Sequence, residues 1–199
     1  VGILGRNGSG KSTLMKLASG LFKSTDVLVL YDGVDINQLH THDLSKSIGI
    51  VLQDVQLFSG SVRENITMGR QGITEADLVE AGKLSGLDEF IGRVPGGYDL
   101  KLADRGKGLS GGQRQAIALA RSIVHKPTHY ILDEPTSAMD MNSETGFINQ
   151  ISPIIANSTM MVVTHRMPLL KLVDRIIVMS EGKIIEDGPR DEIIKKLNG

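Results

Sequence analysis

The sequence predicts an α/β fold, a parallel-sheet core interrupted by a helical insertion. Three observations carry this expectation. Short apolar runs bounded by polar residues recur at Val1–Leu4, Ile48–Leu52, Tyr130–Leu132 and Met160–Val163, as buried parallel strands do. Segments with helical spacing separate them. A more polar, helix-rich stretch over residues 60–125 lies between the second and third runs.

Val1–Leu4 is an apolar strand that leads into a glycine-rich turn and a helix from Lys11, with Leu14, Leu17, Ala18 and Leu21 on one face. Val27–Tyr31 follows as a strand, and Asp32-Gly33 as a turn. After the Ile48–Leu52 strand, Thr74-Glu75-Ala76-Asp77 has the form of a capping box at a helix start. Gly96-Gly97 breaks the chain ahead of Leu109. Arg114–Val124 reads as a helix with Ile117, Ala120, Ile123 and Val124 inward. His129, polar, is expected at the exposed start of the Tyr130–Leu132 strand. Ile176–Met179 and Lys183–Glu186 flank Glu181-Gly182 and predict a hairpin. Pro189 is expected to open a final amphipathic helix.

Composition narrows the function classes. Of 199 residues, 40% are hydrophobic and 23% charged, ordinary for a globular domain. The net charge of -1 supplies no basic field for nucleic acid or anionic lipid. An aromatic content of 4% without Trp argues against stacking platforms for single strands. Nucleic acid is therefore not an expected partner, and phosphate binding has to come from local geometry. The absence of Cys excludes disulfides and thiolate metal sites. No apolar run reaches the ~18 residues of a membrane span. Val1–Leu4 already reads as a core strand without an initiator Met, so the chain is expected to be an N-terminally truncated piece of a longer polypeptide.

Gly5-Arg6-Asn7-Gly8-Ser9-Gly10-Lys11-Ser12 fits the pattern G-x-x-x-x-G-K-[ST], between a strand and a helix. Glycines let the backbone wrap a phosphate chain with its N–H groups inward, and the helix start adds the positive end of its dipole. Lys11 would reach the β- and γ-phosphates, and the Ser12 hydroxyl would ligate Mg²⁺. Gly5 to Ser12, with Thr13 behind them, are the candidate nucleotide-binding residues.

Asp133-Glu134 closes the Tyr130–Leu132 strand, where carboxylates face the ligand crevice of an open sheet. Asp133 would hold the metal, and Glu134 would take a proton from the attacking water.

Leu109-Ser110-Gly111-Gly112-Gln113 resembles the LSGGQ signature of ABC ATPases. Other family marks follow in order: Gln53 like the Q-loop, Ser137-Ala138-Met139-Asp140 like the D-loop, and Thr164-His165 like the switch histidine. The resemblance implies one ABC ATPase domain over residues 1–199: a P-loop NTPase core with a parallel sheet, a small antiparallel β subdomain truncated at its N-terminus, and a helical signature subdomain over residues 60–125. It implies ATP and Mg²⁺, with Glu134, His165, Gln53 and Lys11 catalytic and Ser12, Gln53 and Asp133 at the metal. Ser110, Gly111, Gly112 and Gln113 precede or open a helix and offer a second anion site. In the family this tip closes over the nucleotide of the other copy in a head-to-tail homodimer.

Asp54–Ile66 is similar to the exporter stretch that meets the coupling helices of a transmembrane domain. Phe58 there has a second reading as a core anchor. Asp104-Arg105-Gly106 also looks like the exporter pattern. The phrases around Asp133 and His165 most resemble bacterial type I secretion ATPases, which implies a transmembrane domain, a periplasmic adaptor and an outer-membrane channel as partners, at the cytoplasmic face of the inner membrane. A peptide or lipid exporter ATPase, and more remotely a soluble ABC protein, are alternatives. Two departures stand out: the family's adenine-stacking aromatic would fall before Val1, and Ser24-Thr25-Asp26 lacks the Gly expected before its strand.

Overall fold

A computed structural model describes residues 1–24 and 26–198. They divide into two compact units: Val1–Ile50 with Thr128–Glu134 and Ser158–Gly199, and Val51–Pro127 with Pro135–Asn157. The first unit opens with β1 (Gly2–Gly5), α1 (Lys11–Ala18), β2 (Leu30–Tyr31), β3 (Val34–Asp35), α2 (Thr41–Ser47) and β4 (Ile48–Val51). The second unit carries β5 (Gly60–Ser61), α3 (Val62–Thr67), α4 (Glu75–Leu84), α5 (Asp88–Ile91), β6 (Lys101–Leu102) and α6 (Gly111–Ile123). The chain returns to the first unit for β7 (His129–Asp133) and to the second for α7 (Met141–Ile155). It finishes in the first with β8 (Thr159–Val163), α8 (Met167–Leu170), β9 (Arg175–Ser180), β10 (Lys183–Pro189) and α9 (Arg190–Asn198).

Six strands form a mostly parallel sheet in the order β10-β9-β1-β8-β7-β4. β1 runs parallel to β8 and β9, β8 runs parallel to β7, and β10 folds back antiparallel on β9. The C-terminal ends of β1, β8 and β7 therefore stand side by side, where open α/β sheets bind ligands. Ile3 on β1, Val163 on β8, Ile131 on β7 and Met179 on β9 gather with Met15 of α1 and Ile48 into the core of this unit. Each such buried side chain contributes roughly 1.5–3 kcal/mol, which fixes α1 against the sheet. Asp133 has the parity of Ile131 along β7, so its carboxylate faces α1 rather than the opposite face.

The structure corrects four expectations. Of the Val27–Tyr31 strand only Leu30–Tyr31 is paired, with Val34–Asp35. Val27 and Leu28 are 63% and 71% exposed, so no buried face holds the longer strand. Leu21 does not share the apolar face of α1: the helix stops at Ala18, Gly20 follows at φ 73, and Leu21 lies outside it. Pro189 ends β10 instead of opening α9, tolerated because an edge strand can lack an N–H. His129 is half-buried, its ring 4.9 Å edge-on from that of Tyr31. Of the Ser24-Thr25-Asp26 departure, Thr25 lies outside the described residues. The two turns behave as read: Asp32-Gly33 and Glu181-Gly182 both have two positive φ angles, the twist two-residue hairpins require.

In the second unit α3 and α4 pack on α6. Ile117, Ala120, Ile123 and Val124 of the α6 region are buried, with Ile66 of α3 and Leu78 of α4. Thr74 and Asp77 form the expected capping box of α4, and Ser61 and Glu64 form a second one at α3.

Candidate functional site

The loop after β1 is built by backbone that only glycine permits. Gly5 has φ 153, and a Cβ on it would stand 2.3 Å from the Met179 carbonyl oxygen. Behind the loop, the Gly182 N–H of the β9–β10 turn donates to Ser9 O at 3.1 Å. Gly10, at φ 97, precedes α1, and the helix begins on Lys11. The loop is thus braced from the sheet side while Arg6, Asn7 and Gly8 stay exposed. Lys11 Nζ folds back over it, donating to Gly5 O at 2.8 Å and Arg6 O at 2.9 Å. Ser9 is buried, and its hydroxyl has no hydrogen-bond partner among the described residues. Buried hydroxyls normally find one. Thr13, one turn into the loop-helix junction, is exposed.

Ser12 Oγ donates to Asp133 Oδ2 at 3.1 Å. Asp133 is buried, and desolvation pushes its carboxyl above the usual range, against smaller opposing effects of the Ser12 hydrogen bond and of Lys11. A hydroxyl and a desolvated carboxylate are oxygen donors of the kind a hard cation takes, so these two residues fit Mg²⁺. Glu134 leaves the strand at φ 49, its N–H donating to Val163 O at 2.9 Å. That turn brings its carboxylate to the end of β8, where Glu134 Oε1 lies 2.8 Å from His165 Nδ1. The imidazole is otherwise largely exposed. The first unit therefore brings together Lys11, Ser12, Asp133, Glu134 and His165 at adjoining strand ends.

Gln53, exposed, belongs to the second unit, as do Ser110, Gly111, Gly112 and Gln113. Ser110 caps α6 in a reciprocal box: Gln113 N–H donates to Ser110 Oγ at 3.1 Å, and Ser110 N–H donates to Gln113 Oε1 at 2.8 Å. Within the same unit Ala138 of the D-loop-like segment packs beside the two glycines, where added Cβ atoms would meet it at 3.7 and 3.5 Å. Asp140 caps α7, accepting from Asn142 N–H and Ser143 N–H, both at 2.9 Å. Those bonds, Ser143's first, hold its carboxyl below the usual range. Phe58 is 53% exposed, which removes its reading as a core anchor.

A family profile described as ABC transporter matches residues 1–137. The chain belongs to the ABC transporter family. This ABC ATP-binding domain is 42% identical over 194 residues to the cyclolysin secretion/processing ATP-binding protein CyaB of Bordetella pertussis, covering 98% of the chain and 27% of CyaB. It is 42% identical over 199 residues to the leukotoxin export ATP-binding protein LtxB of Aggregatibacter actinomycetemcomitans, and 41% identical to the toxin RTX-I translocation ATP-binding protein of Actinobacillus pleuropneumoniae. Both alignments cover all of the chain and 28% of the relative. The chain thus spans under a third of the length of these curated relatives. The structure of a bacterial Atm1-family ABC exporter with ATP bound superposes with a TM-score of 0.90 and 32% identity, over 100% of this chain and 34% of that one.

Sequence reasoning missed some features of this ABC domain. The S-x-x-Q spacing of Ser110 and Gln113 carried a capping-box signal. So did Ser61 and Glu64. The pair formed by Thr136 and Glu144, both buried, had no local signal: Thr136 Oγ1 donates to Glu144 Oε1 at 2.6 Å.

Proposed function

We propose that this chain is the ATP-hydrolysing domain of a type I secretion exporter, working as half of a head-to-tail homodimer closed over two ATP molecules. The observation that carries the hydrolytic reading is the 2.8 Å contact of Glu134 with His165 beside the Ser12–Asp133 pair. A carboxylate oriented by an imidazole, next to a phosphate loop, is the arrangement of a base that accepts a proton from an attacking water.

The chain's residues divide the work by their chemistry. Backbone N–H groups from Gly5 to Thr13 cradle the phosphates, and Lys11 exchanges its two loop carbonyls for phosphate oxygens. The unpartnered Ser9 hydroxyl supports a loop built around a ligand. Ser12 and Asp133 would hold Mg²⁺, which would neutralise phosphate charge, and Gln53 is assigned to the metal by the family resemblance alone. His165 keeps Glu134 aimed at the water. The partner subunit's Ser110, with the helix start behind it, supplies donors to the same phosphates.

The export class rests on the toxin secretion, export and translocation relatives at 41–42% identity. The exposed Phe58 supports the Asp54–Ile66 segment as the surface that meets a transmembrane domain. A periplasmic adaptor, an outer-membrane channel and a position on the cytoplasmic face of the inner membrane belong to this reading. The experiment is Glu134→Gln in the full-length protein. Turnover is expected to collapse while an ATP-bound dimer accumulates, read by trapped nucleotide and native mass. Wild-type turnover in that variant removes Glu134 as the base.

A further inference from the structure

The second unit contains a buried polar assembly that the hydrolysis chemistry does not use. Asn65 of α3 is 1% exposed and grips the backbone of Phe58 from both sides. Its Oδ1 accepts from Phe58 N–H at 2.8 Å, and its Nδ2 donates to Phe58 O at 2.9 Å and Ser61 O at 3.0 Å. Arg121 of α6 completes the assembly. Its Nε donates to Asn65 O at 2.7 Å, Nη1 to Gln56 O at 3.0 Å, and Nη2 to Asn65 Oδ1 at 3.2 Å. The guanidinium also lies 5.5 Å from the centre of the Phe58 ring, within cation–π range.

All three acceptors are uncharged carbonyls, and among the described residues no carboxylate pairs with Arg121. Burial, and next the charge of Arg70, lowers its pKa from the ordinary guanidinium value. A desolvated charge without a counter-ion is an expensive way to fill space. Its planar fork, however, holds two separate chain segments in one fixed geometry, which the compact, freely rotating ammonium of a lysine does not impose.

What this assembly immobilises is a half-exposed aromatic ring, and the fold gains little from fixing such a ring. A partner gains more, because an aromatic anchor on a rigid base loses little freedom on docking. The other end of the assembly is α6, whose N-cap is Ser110. Arg121 lies about 15 Å along that continuous helix from its start.

We propose that Arg121 is a positioning residue that locks the Gln56–Phe58 segment to the signature helix, so that Phe58 moves as a rigid extension of the Ser110 tip. This rests on the reading above, in which that tip meets nucleotide and the Phe58 segment meets the transmembrane domain. A displacement imposed on Ser110 by ATP is then delivered to Phe58 across the Arg121 contacts, without passing along the intervening chain.

The test is hydrogen exchange on the full-length protein carrying Glu134→Gln, with and without ATP and Mg²⁺. Peptides over residues 110–122 and over residues 56–66 are both expected to change protection on nucleotide addition. With Arg121→Lys added, the change at 110–122 persists and that at 56–66 is lost, while the KM for ATP of the Arg121→Lys single variant is unaltered. A merely structural role would move both peptides together. A response at 56–66 that survives Arg121→Lys, or one that never occurs while 110–122 responds, overturns the inference alone. No response at 110–122 overturns the nucleotide reading as well. A second measurement needs no change at Arg121. This chain has no Cys, so spin labels at Ser59→Cys and Lys107→Cys, in full-length protein with any cysteine outside this chain replaced, report one distance. It is expected to be the same with and without nucleotide, and a changed distance overturns the rigid link.

Discussion

Glu134 Oε1 lies 2.8 Å from His165 Nδ1 although the two residues follow different strands. They meet because β7 and β8 are parallel neighbours with Asp133 level with Val163, and because Glu134 turns at φ 49 toward β8. A positive φ on a glutamate costs on the order of 1 kcal/mol or more, so the fold tolerates strain to aim this carboxylate. Two groups that act as one unit do not contribute separately. Glu134→Gln and His165→Ala are each expected to lower kcat by roughly 10²–10⁴. The double variant is expected to be no slower than the worse single one, in phosphate release at saturating ATP. Losses that multiply would mean the two act independently.

Asp133 makes the nucleotide-free domain sensitive to pH. Burial raises its carboxyl above the ordinary 3.8 in the folded state. The folded state then holds a proton that the unfolded chain has released, so stability falls as pH rises from about 3.8 through the folded value. Asp133→Asn removes this penalty. It is expected to melt higher than wild type at neutral pH without ligand, to lose the difference in acid, and to gain less from Mg²⁺ and ATP. Thermal melts across pH with and without Mg²⁺ measure all three.

Ser110 has two roles that substitution can separate. Its hydroxyl caps α6 through Gln113 N–H, and Ser110→Ala is expected to cost about 1 kcal/mol in denaturant unfolding. Aspartate caps as well as serine, so Ser110→Asp keeps the fold. It also puts a negative charge where the proposed reading brings phosphate, and ATP-driven dimerisation is expected to vanish. A dimer that forms normally in Ser110→Asp would leave the residue with its capping role alone.

Much of this was legible because the signals were local. The loop from Gly5 to Ser12 needs its glycines at fixed spacing, and the α6 face repeats Ile117, Ala120 and Ile123 within one element. Asp32-Gly33 and Glu181-Gly182 carry their turn chemistry in two residues. Elements that depend on distant partners were not legible. Val27–Tyr31 looks like a strand, yet most of it lacks a surface to bury against. α7 drew no expectation: Gly146 and Pro153 interrupt it, although Phe147, Ile151 and Ile155 keep a helical period and are buried. In the site, Asp133 and Glu134 could be singled out as neighbours. Their different environments could not, because strand parity turns Asp133 toward Ser12 while the register of β7 and β8 delivers Glu134 to His165.

Thr136 and Glu144 are almost wholly buried, and the 2.6 Å hydrogen bond between them spans the turn that precedes α7. Thr136→Val keeps the shape of the side chain and removes its donor. The Glu144 side chain stays buried and loses this donor, which costs about 1–3 kcal/mol. The denaturation midpoint should fall accordingly, with the slope unchanged if the unfolded state is unaffected. Thr136→Ser retains the donor and deletes only a methyl group, for which a loss of roughly 1 kcal/mol is expected. The order of the two variants decides the cause. A serine variant as unstable as the valine variant would mean that packing of the methyl group, and not the hydrogen bond to Glu144, holds this turn.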